Sequence, residues 1–243
     1  MSDPEFEALR KANIGHLRSD GTLRQQATEF LIHSSEHNYS YNFDWLGLPI
    51  IQFPSDIVAV QELIWRIRPR VVVETGVARG GSLALSASVL ELLGGDRFVI
   101  GIDIDIRPTN RLAIESHPLA HRIRLVEGSS VHGDVVQEVH QMVGDHSPVL
   151  VLLDSMHTHD HVLEELRLYS DLVGEGSYIV AFDTIIADMP GTSFLDRPWG
   201  TQNNPKTAVH AFLSENDRFV IDDELEAKLQ ITVAPSGYLR CVG

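Results

Sequence analysis

Five short apolar runs, each nearly continuous in Val, Ile and Leu, recur through the middle of the chain. They alternate with stretches whose apolar residues fall at helical spacing. The runs predict strands at 71–74, 98–103, 123–127, 149–153 and 178–182; the stretches between predict helices at 81–93, 108–116, 132–143 and 160–172. Strands joined by helices of this length build right-handed βαβ units and a mainly parallel sheet. Continuous apolar runs suit strands covered on both faces. Upstream, Pro54-Ser55-Asp56 opens a helix that carries Ile57, Val60, Ile64 and Trp65 on one face, and Pro69 ends it. Residues 3–38 read as a mostly polar helical arm, with Asp3, Pro4 and Glu5 as start signals. The aromatic-rich segment from Tyr39 to Pro49 ends in Gly and Pro turn signals and predicts an ordered loop.

After residue 184 the periodicity lapses. Residues 185–205 contain Pro190, Gly191, Pro198, Gly200 and Pro205 without a clear period. A helix is predicted at 206–214, with strands at 219–221, 229–234 and 238–242 and a turn at Pro235-Ser236-Gly237. Such a hairpin closes the sheet with an antiparallel edge. The expected class is α/β, with helices on both faces.

Composition narrows the choices. At 243 residues the chain suits one α/β domain. Its apolar runs are too short to span a membrane, and Met1–Arg10 lacks the apolar core of a secretion signal, so a cytoplasmic location is expected. The single cysteine, Cys241, excludes an intramolecular disulfide framework and a Cys-rich zinc site. A formal charge of −15 argues against nucleic acid and anionic membranes as partners, and otherwise serves solubility.

Four acids stand where predicted strands end: Glu74, Asp103, Asp154 and Asp183. In a parallel sheet those ends share one rim, where α/β proteins bind ligands. After Glu74 and Thr75, the sequence Gly76-Val77-Ala78-Arg79-Gly80-Gly81-Ser82 gives a GxxxGG spacing rather than the GxGxxG of a dinucleotide fold. Glycines there permit close backbone approach, and Glu74 suits a cofactor carrying positive charge or a hydroxyl or amine donor; S-adenosylmethionine carries an ammonium and a sulfonium. Alone, the loop also reads as a tight strand-to-helix turn. Asp103 is placed to accept ribose hydroxyls, with Asp105 as its competitor; either is also a plausible capping acid. Ser129 and Ser130, after Gly128, fall where adenine would lie.

Asp154 and Asp183, on neighbouring strands, are placed to share a divalent cation, with Thr184 adding a hydroxyl. Oxygen donors of this kind favour Mg²⁺ over zinc. His157, three residues beyond Asp154, is a candidate general base for an alcohol. His157, His159 and His161 alternate, which hints at zinc, but no HExxH-type pattern is present. Tyr41, Phe43 and Trp45, with Trp199 from the irregular segment, would form an aromatic lid, or would simply pack the arm.

These features together resemble class I S-adenosylmethionine methyltransferases. More narrowly they resemble the cephalosporin hydroxylase/CmcI-type family, which includes rhamnosyl and macrolide-sugar O-methyltransferases. The resemblance covers about residues 38–242. It is carried by the segments 39–47, 54–58 and 74–82, by Asp154-Ser155-Met156-His157, by Phe182-Asp183-Thr184, by Arg197-Pro198-Trp199-Gly200 and by 203–208. It implies a Rossmann-like, mostly parallel seven-stranded sheet with an antiparallel C-terminal hairpin. Residues 1–55 would form the arm and lid segment, and 56–243 the cofactor-binding catalytic domain.

The resemblance also implies methyl transfer with Mg²⁺ or a similar cation. Glu74, Gly76 and Gly80, with Thr75 and Ser82 of the same loop, would line the methionine end of the cofactor. Asp103 would hold the ribose, Ser130 the adenine side, and Asp154 would border the cofactor as well as the metal. Asp154 and Asp183 match metal-ligand positions, and His157 matches a general base. Some metal-dependent relatives carry a Glu-Asp pair at the end of the fifth strand; here the first position is Phe182. The expected activity is O-methylation of a sugar, or of a glycosylated or polyketide-type natural product. The acceptor is a small molecule, and the arm is expected to pack on another subunit of a homo-oligomer. A nicotinamide-dependent oxidoreductase and an inactive cofactor-binding scaffold are the rival readings.

Overall fold

The computed structural model describes residues 3–243. The arm is two helices: α1 (Pro4–Ser19) and α2 (Gly21–Ser35) meet at Asp20, whose carboxylate accepts from the Leu23 amide and caps α2. The aromatic segment is a 3-10 turn (Tyr39–Asn42) followed by a small antiparallel hairpin, β1 (Phe43–Trp45) and β2 (Leu48–Ile50). Helix α3 (Pro54–Ile67) then leads into the α/β body.

That body runs β3 (Val71–Thr75), α4 (Gly81–Leu93), β4 (Phe98–Asp103), α5 (Pro108–Glu115), β5 (Ile123–Glu127), α6 (Gly133–Val143), β6 (Val149–Leu153), α7 (His159–Tyr169) and β7 (Tyr178–Ala181). It ends with α8 (Pro205–Glu215), β8 (Phe219–Ile221), α9 (Asp223–Leu229) and β9 (Tyr238–Cys241). The seven-stranded sheet has the order β5-β4-β3-β6-β7-β9-β8. The first five strands are parallel, and β9 is antiparallel to both β7 and β8. The expected α/β class and antiparallel C-terminal edge are therefore what the chain builds.

Strand periodicity sorts side chains between two buried layers. Val72, Val99, Leu150 and Val180 face α3 and α4. Val71, Val73, Ile100, Val151 and Ile179 face α6, α7 and α8. Each fully buried valine or isoleucine contributes roughly 1.5–3 kcal/mol of transfer free energy. Glu74 continues the alternation on the α4 side. The register aligns Thr75 with Ile102 and with Leu153, so the carboxyl ends of β3, β4 and β6 lie at one level.

One predicted strand is absent. Residues 229–234 do not join the sheet; Leu229 ends α9 and the following residues form a bent segment. The physical reason is Asp56, buried near the start of α3. Its carboxylate accepts from the Thr232 hydroxyl (2.5 Å), the Val233 amide (3.0 Å) and the Tyr238 hydroxyl (2.7 Å). The Val233 carbonyl accepts from the Ile185 amide. Backbone groups that a ladder would use are thus satisfied by a side chain and a loop.

Candidate active site

Gly76 makes the first turn beyond β3 with φ of 91°, and a Cβ there would collide with the Asp154 carbonyl. Glycine therefore lets the ends of β3 and β6 close on each other. Gly80, at φ 87°, caps α4, and a Cβ on Gly81 would run into the Pro49 backbone. The Val77 and Ala78 amides donate to Asp103 Oδ2 at 2.9 and 3.2 Å, so the β4 acid also shapes the glycine loop. Asp105 is exposed; its amide donates to Asp103 Oδ1 and its side chain lies outside the cavity described next.

A cavity of about 330 Å³ opens at this rim, bordered by Gly76, Asp103, Ser130, Asp154, His161 and Trp199 among others. Beside it, Glu74 is buried and accepts from the Ser82 hydroxyl on one oxygen, while Oε2 has no partner. Burial outweighs that hydrogen bond and pushes Glu74 up to about 7. Thr75 is buried, with Oγ1 at 3.4 Å from the Asp154 amide. Asp154 lies well above the usual carboxylate range, first through desolvation and then through the charges of Asp183 and Glu74.

Asp183 follows β7 at φ 56°, ψ 22°, a left-handed conformation uncommon outside glycine. Its Oδ2 lies 3.1 Å from His157 Nε2. One ligand-type atom from each of Asp154, His157 and Asp183 lies within 4.8 Å of the others. The His157 ring stands edge-on to Trp199, with centroids 4.9 Å apart. Thr184 lies apart from this cluster: it is buried, and its hydroxyl donates to the Pro235 carbonyl at 2.7 Å. Of the three predicted lid residues, Trp199 borders the cavity, Trp45 is tied to α4 through Ser88 at 3.1 Å, and Tyr41 is exposed. The three alternating histidines do not converge. His159 is a structural contact, with Nδ1 2.9 Å from the Thr207 hydroxyl, and His161 points to a different cluster.

The family model for rhamnosyl O-methyltransferase/CmcI matches residues 37–242. The chain belongs to that family. A rhamnosyl O-methyltransferase of Mycobacterium tuberculosis is 28% identical over 201 residues, covering 80% of this chain and 76% of that protein. One from Mycobacterium leprae is 26% identical over 197 residues, covering 80% and 81%. A CmcI structure containing Mg and SAM matches with a TM-score of 0.59 at 23% identity, covering 84% of this chain and 78% of that one. The fold is that of the class I methyltransferases.

The residues this family member places at the rim fit a cationic cofactor and a metal. Glu74, Asp154 and Asp183 cluster with no lysine or arginine paired to them among the described residues. The unpartnered Glu74 oxygen is a ready acceptor for an ammonium group. Hard carboxylate oxygens on adjacent strands suit Mg²⁺. Phe182, in the position where some family members carry an acid, is buried in the α3/α4 core layer, so it adds nothing to the donor set. Three contributors were not legible from sequence. Gln52, just after β2, is buried and donates to Asp154 Oδ2 at 3.4 Å. Ser155 and Glu165 join Ser130 in a hydrogen-bonded group beneath the cavity. The only sequence signal for Ser155 and Glu165 is proximity to Asp154 and to the histidine series, and Gln52 has none.

Proposed function

We propose that this protein transfers a methyl group from S-adenosylmethionine, assisted by Mg²⁺, to a hydroxyl of a sugar or of a glycosylated or polyketide-type natural product. Membership of the family supports the reaction, and the mycobacterial relatives' name supports a sugar acceptor. The observation that carries the reading is the convergence of Asp154, His157 and Asp183 beside the cavity at the sheet rim.

The cofactor supplies a methyl group already activated on a sulfonium. Asp154 and Asp183 would hold Mg²⁺, which would supply positive charge favouring the ionised form of a nearby hydroxyl. The chain's task is alignment and proton removal. Glu74 and the glycine loop would fix the methionine end, and Asp103 the ribose. Alignment of this kind is worth roughly 7–11 kcal/mol in favourable systems. With His157 Nε2 against Asp183, Nδ1 is the ring's free basic nitrogen and takes the acceptor's proton. Asp183 stabilises the resulting imidazolium. Trp199, packed on His157, walls off water and offers a ring face to a sugar.

We further propose a cytoplasmic location, in keeping with a single buried free thiol, and a homo-oligomer assembled through the arm. The deciding experiment is incubation with methyl-labelled S-adenosylmethionine, Mg²⁺ and a panel of glycosides and polyketide alcohols. Label should pass to a glycoside hydroxyl and fall on chelation with EDTA. Transfer that is undiminished by EDTA would remove the metal from the reading. Failure to label any hydroxyl acceptor while the cofactor binds would favour a scaffold.

A further inference from the structure

Glu165, on α7, is fully buried and engages only one of its carboxylate oxygens. Oε1 accepts from Ser130 Oγ at 2.5 Å and from Ser155 Oγ at 2.7 Å; Oε2 has no partner. His161 lies one helical turn earlier, and its Nε2 faces the same atoms. It is 3.1 Å from Ser130 Oγ, 3.2 Å from Ser155 Oγ and 3.4 Å from Glu165 Oε1.

For an ionised Glu165 and a neutral His161, these contacts select the tautomer. A carboxylate only accepts, so both serine hydroxyls spend their hydrogens on Glu165. Their oxygens then face His161 as acceptors, and Nε2 must carry the hydrogen. A neutral imidazole has one N–H, which leaves Nδ1 as a lone-pair acceptor. Nδ1 makes no hydrogen bond to the described residues. His161, Ser130 and Ser155 all border the cavity. Ile104 and Met156 border it too, and both are exposed apolar side chains, at 75% and 42%. Ile104 follows Asp103, the residue placed for the ribose. The cavity therefore combines apolar side chains suited to the faces of a flat ring with a histidine suited to its edge.

We infer that His161 recognises the exocyclic amine of the cofactor's adenine, and that Glu165 is a positioning residue that locks the His161 acceptor through Ser130 and Ser155. The inference rests on the cofactor reading above. It also accounts for a buried, half-satisfied carboxylate, which is a liability to the fold.

The test compares S-adenosylhomocysteine with S-inosylhomocysteine, in which a carbonyl oxygen replaces the amine, by calorimetric titration of the full chain. The wild-type protein should prefer the adenosyl compound by at least about tenfold, because the inosyl oxygen would face the Nδ1 lone pair. H161A should bring the two affinities within about threefold of each other, while H161Q, which retains an acceptor, keeps part of the preference. E165A should lose the preference and E165Q, which still accepts from both serines, should regain it. A fold defect would lower the melting temperature without changing the ratio, so the ratio separates positioning from mere support. Equal wild-type affinity for the two compounds, or an unchanged ratio in both His161 variants, overturns the inference and leaves the cofactor reading standing. Binding of neither compound overturns both.

Discussion

Glu74 shows how one side chain's surroundings become a measurable property. Its position on β3 turns it into the α4 layer, where Ser82 is its one hydrogen-bond partner among the described residues, and burial holds its carboxyl up to about 7. A cationic cofactor group prefers the ionised form. Affinity for S-adenosylmethionine should therefore rise with pH through about 7 and level off above it, and E74Q should bind weakly with a flat profile. Titration calorimetry between pH 6 and 8.5 checks this; a wild-type profile that falls as pH rises would remove Glu74 from the cofactor site. At His157 the expectation is kinetic. H157A should lower kcat by about 10²–10⁴-fold and change cofactor affinity by less than about threefold. Near-normal turnover at neutral pH would mean that another group takes the proton.

Asp56 works on stability instead. Burial outweighs its three donors and raises its carboxyl to about 6. The folded chain thus binds this proton more tightly than the unfolded chain does. The Asp56 contribution to stability is greatest below about pH 4 and is lost as pH rises through about 6, a change of about 3 kcal/mol. Urea denaturation at pH 4 and pH 7 should show this decline in the wild type and a smaller one in D56N.

Among the elements, α8 carries the most consequence for the site. Asn204 caps it with a reciprocal capping box: its side chain accepts from the Thr207 amide, and the Thr207 hydroxyl faces the Asn204 amide. The same Asn204 donates to the Gly200 carbonyl, next to Trp199. The cap therefore anchors one end of the irregular segment that brings Trp199 to His157. N204A should cost about 1–2 kcal/mol, lowering Tm by roughly 2–8 °C, and should raise KM for the acceptor more than for the cofactor. Differential scanning calorimetry and steady-state kinetics measure the two effects; a stability loss with unchanged KM would uncouple the cap from the lid. The bent 230–237 segment makes a related point. Its apolar residues mimic a strand, but its amides and hydroxyls are claimed by α3 from more than a hundred residues away.

In the whole molecule, the arm leaves apolar side chains uncovered. Helix α1 has no buried residue, and Phe6 and Leu9 are 56% and 54% exposed on it. Burial of those side chains against a second subunit is the reason to expect a homo-oligomer. Sedimentation velocity of the full chain should give an assembly, and deletion of residues 3–20 should shift it toward monomer. A monomeric full chain rejects the role given to the arm. The −15 charge opposes close approach of copies, so association should strengthen as salt is raised.

Chain order and local period by themselves determined the βαβ body, the glycine turn and the placing of four acids at strand ends. Parallel strands all finish on one rim, so an acid after each apolar run has its position set by local pattern alone. Which atoms those residues meet was decided only in three dimensions. Thr184 turned to the Pro235 carbonyl, His157 met Asp183, Gln52 reached Asp154, and Ser130 shared its hydroxyl with a buried glutamate. Periodicity specifies which face a side chain takes. Its partner depends on distant backbone that arrives only when the layers pack, and a hydrogen bond such as that between Asp56 and Tyr238, 182 positions apart, leaves no periodic trace in the chain.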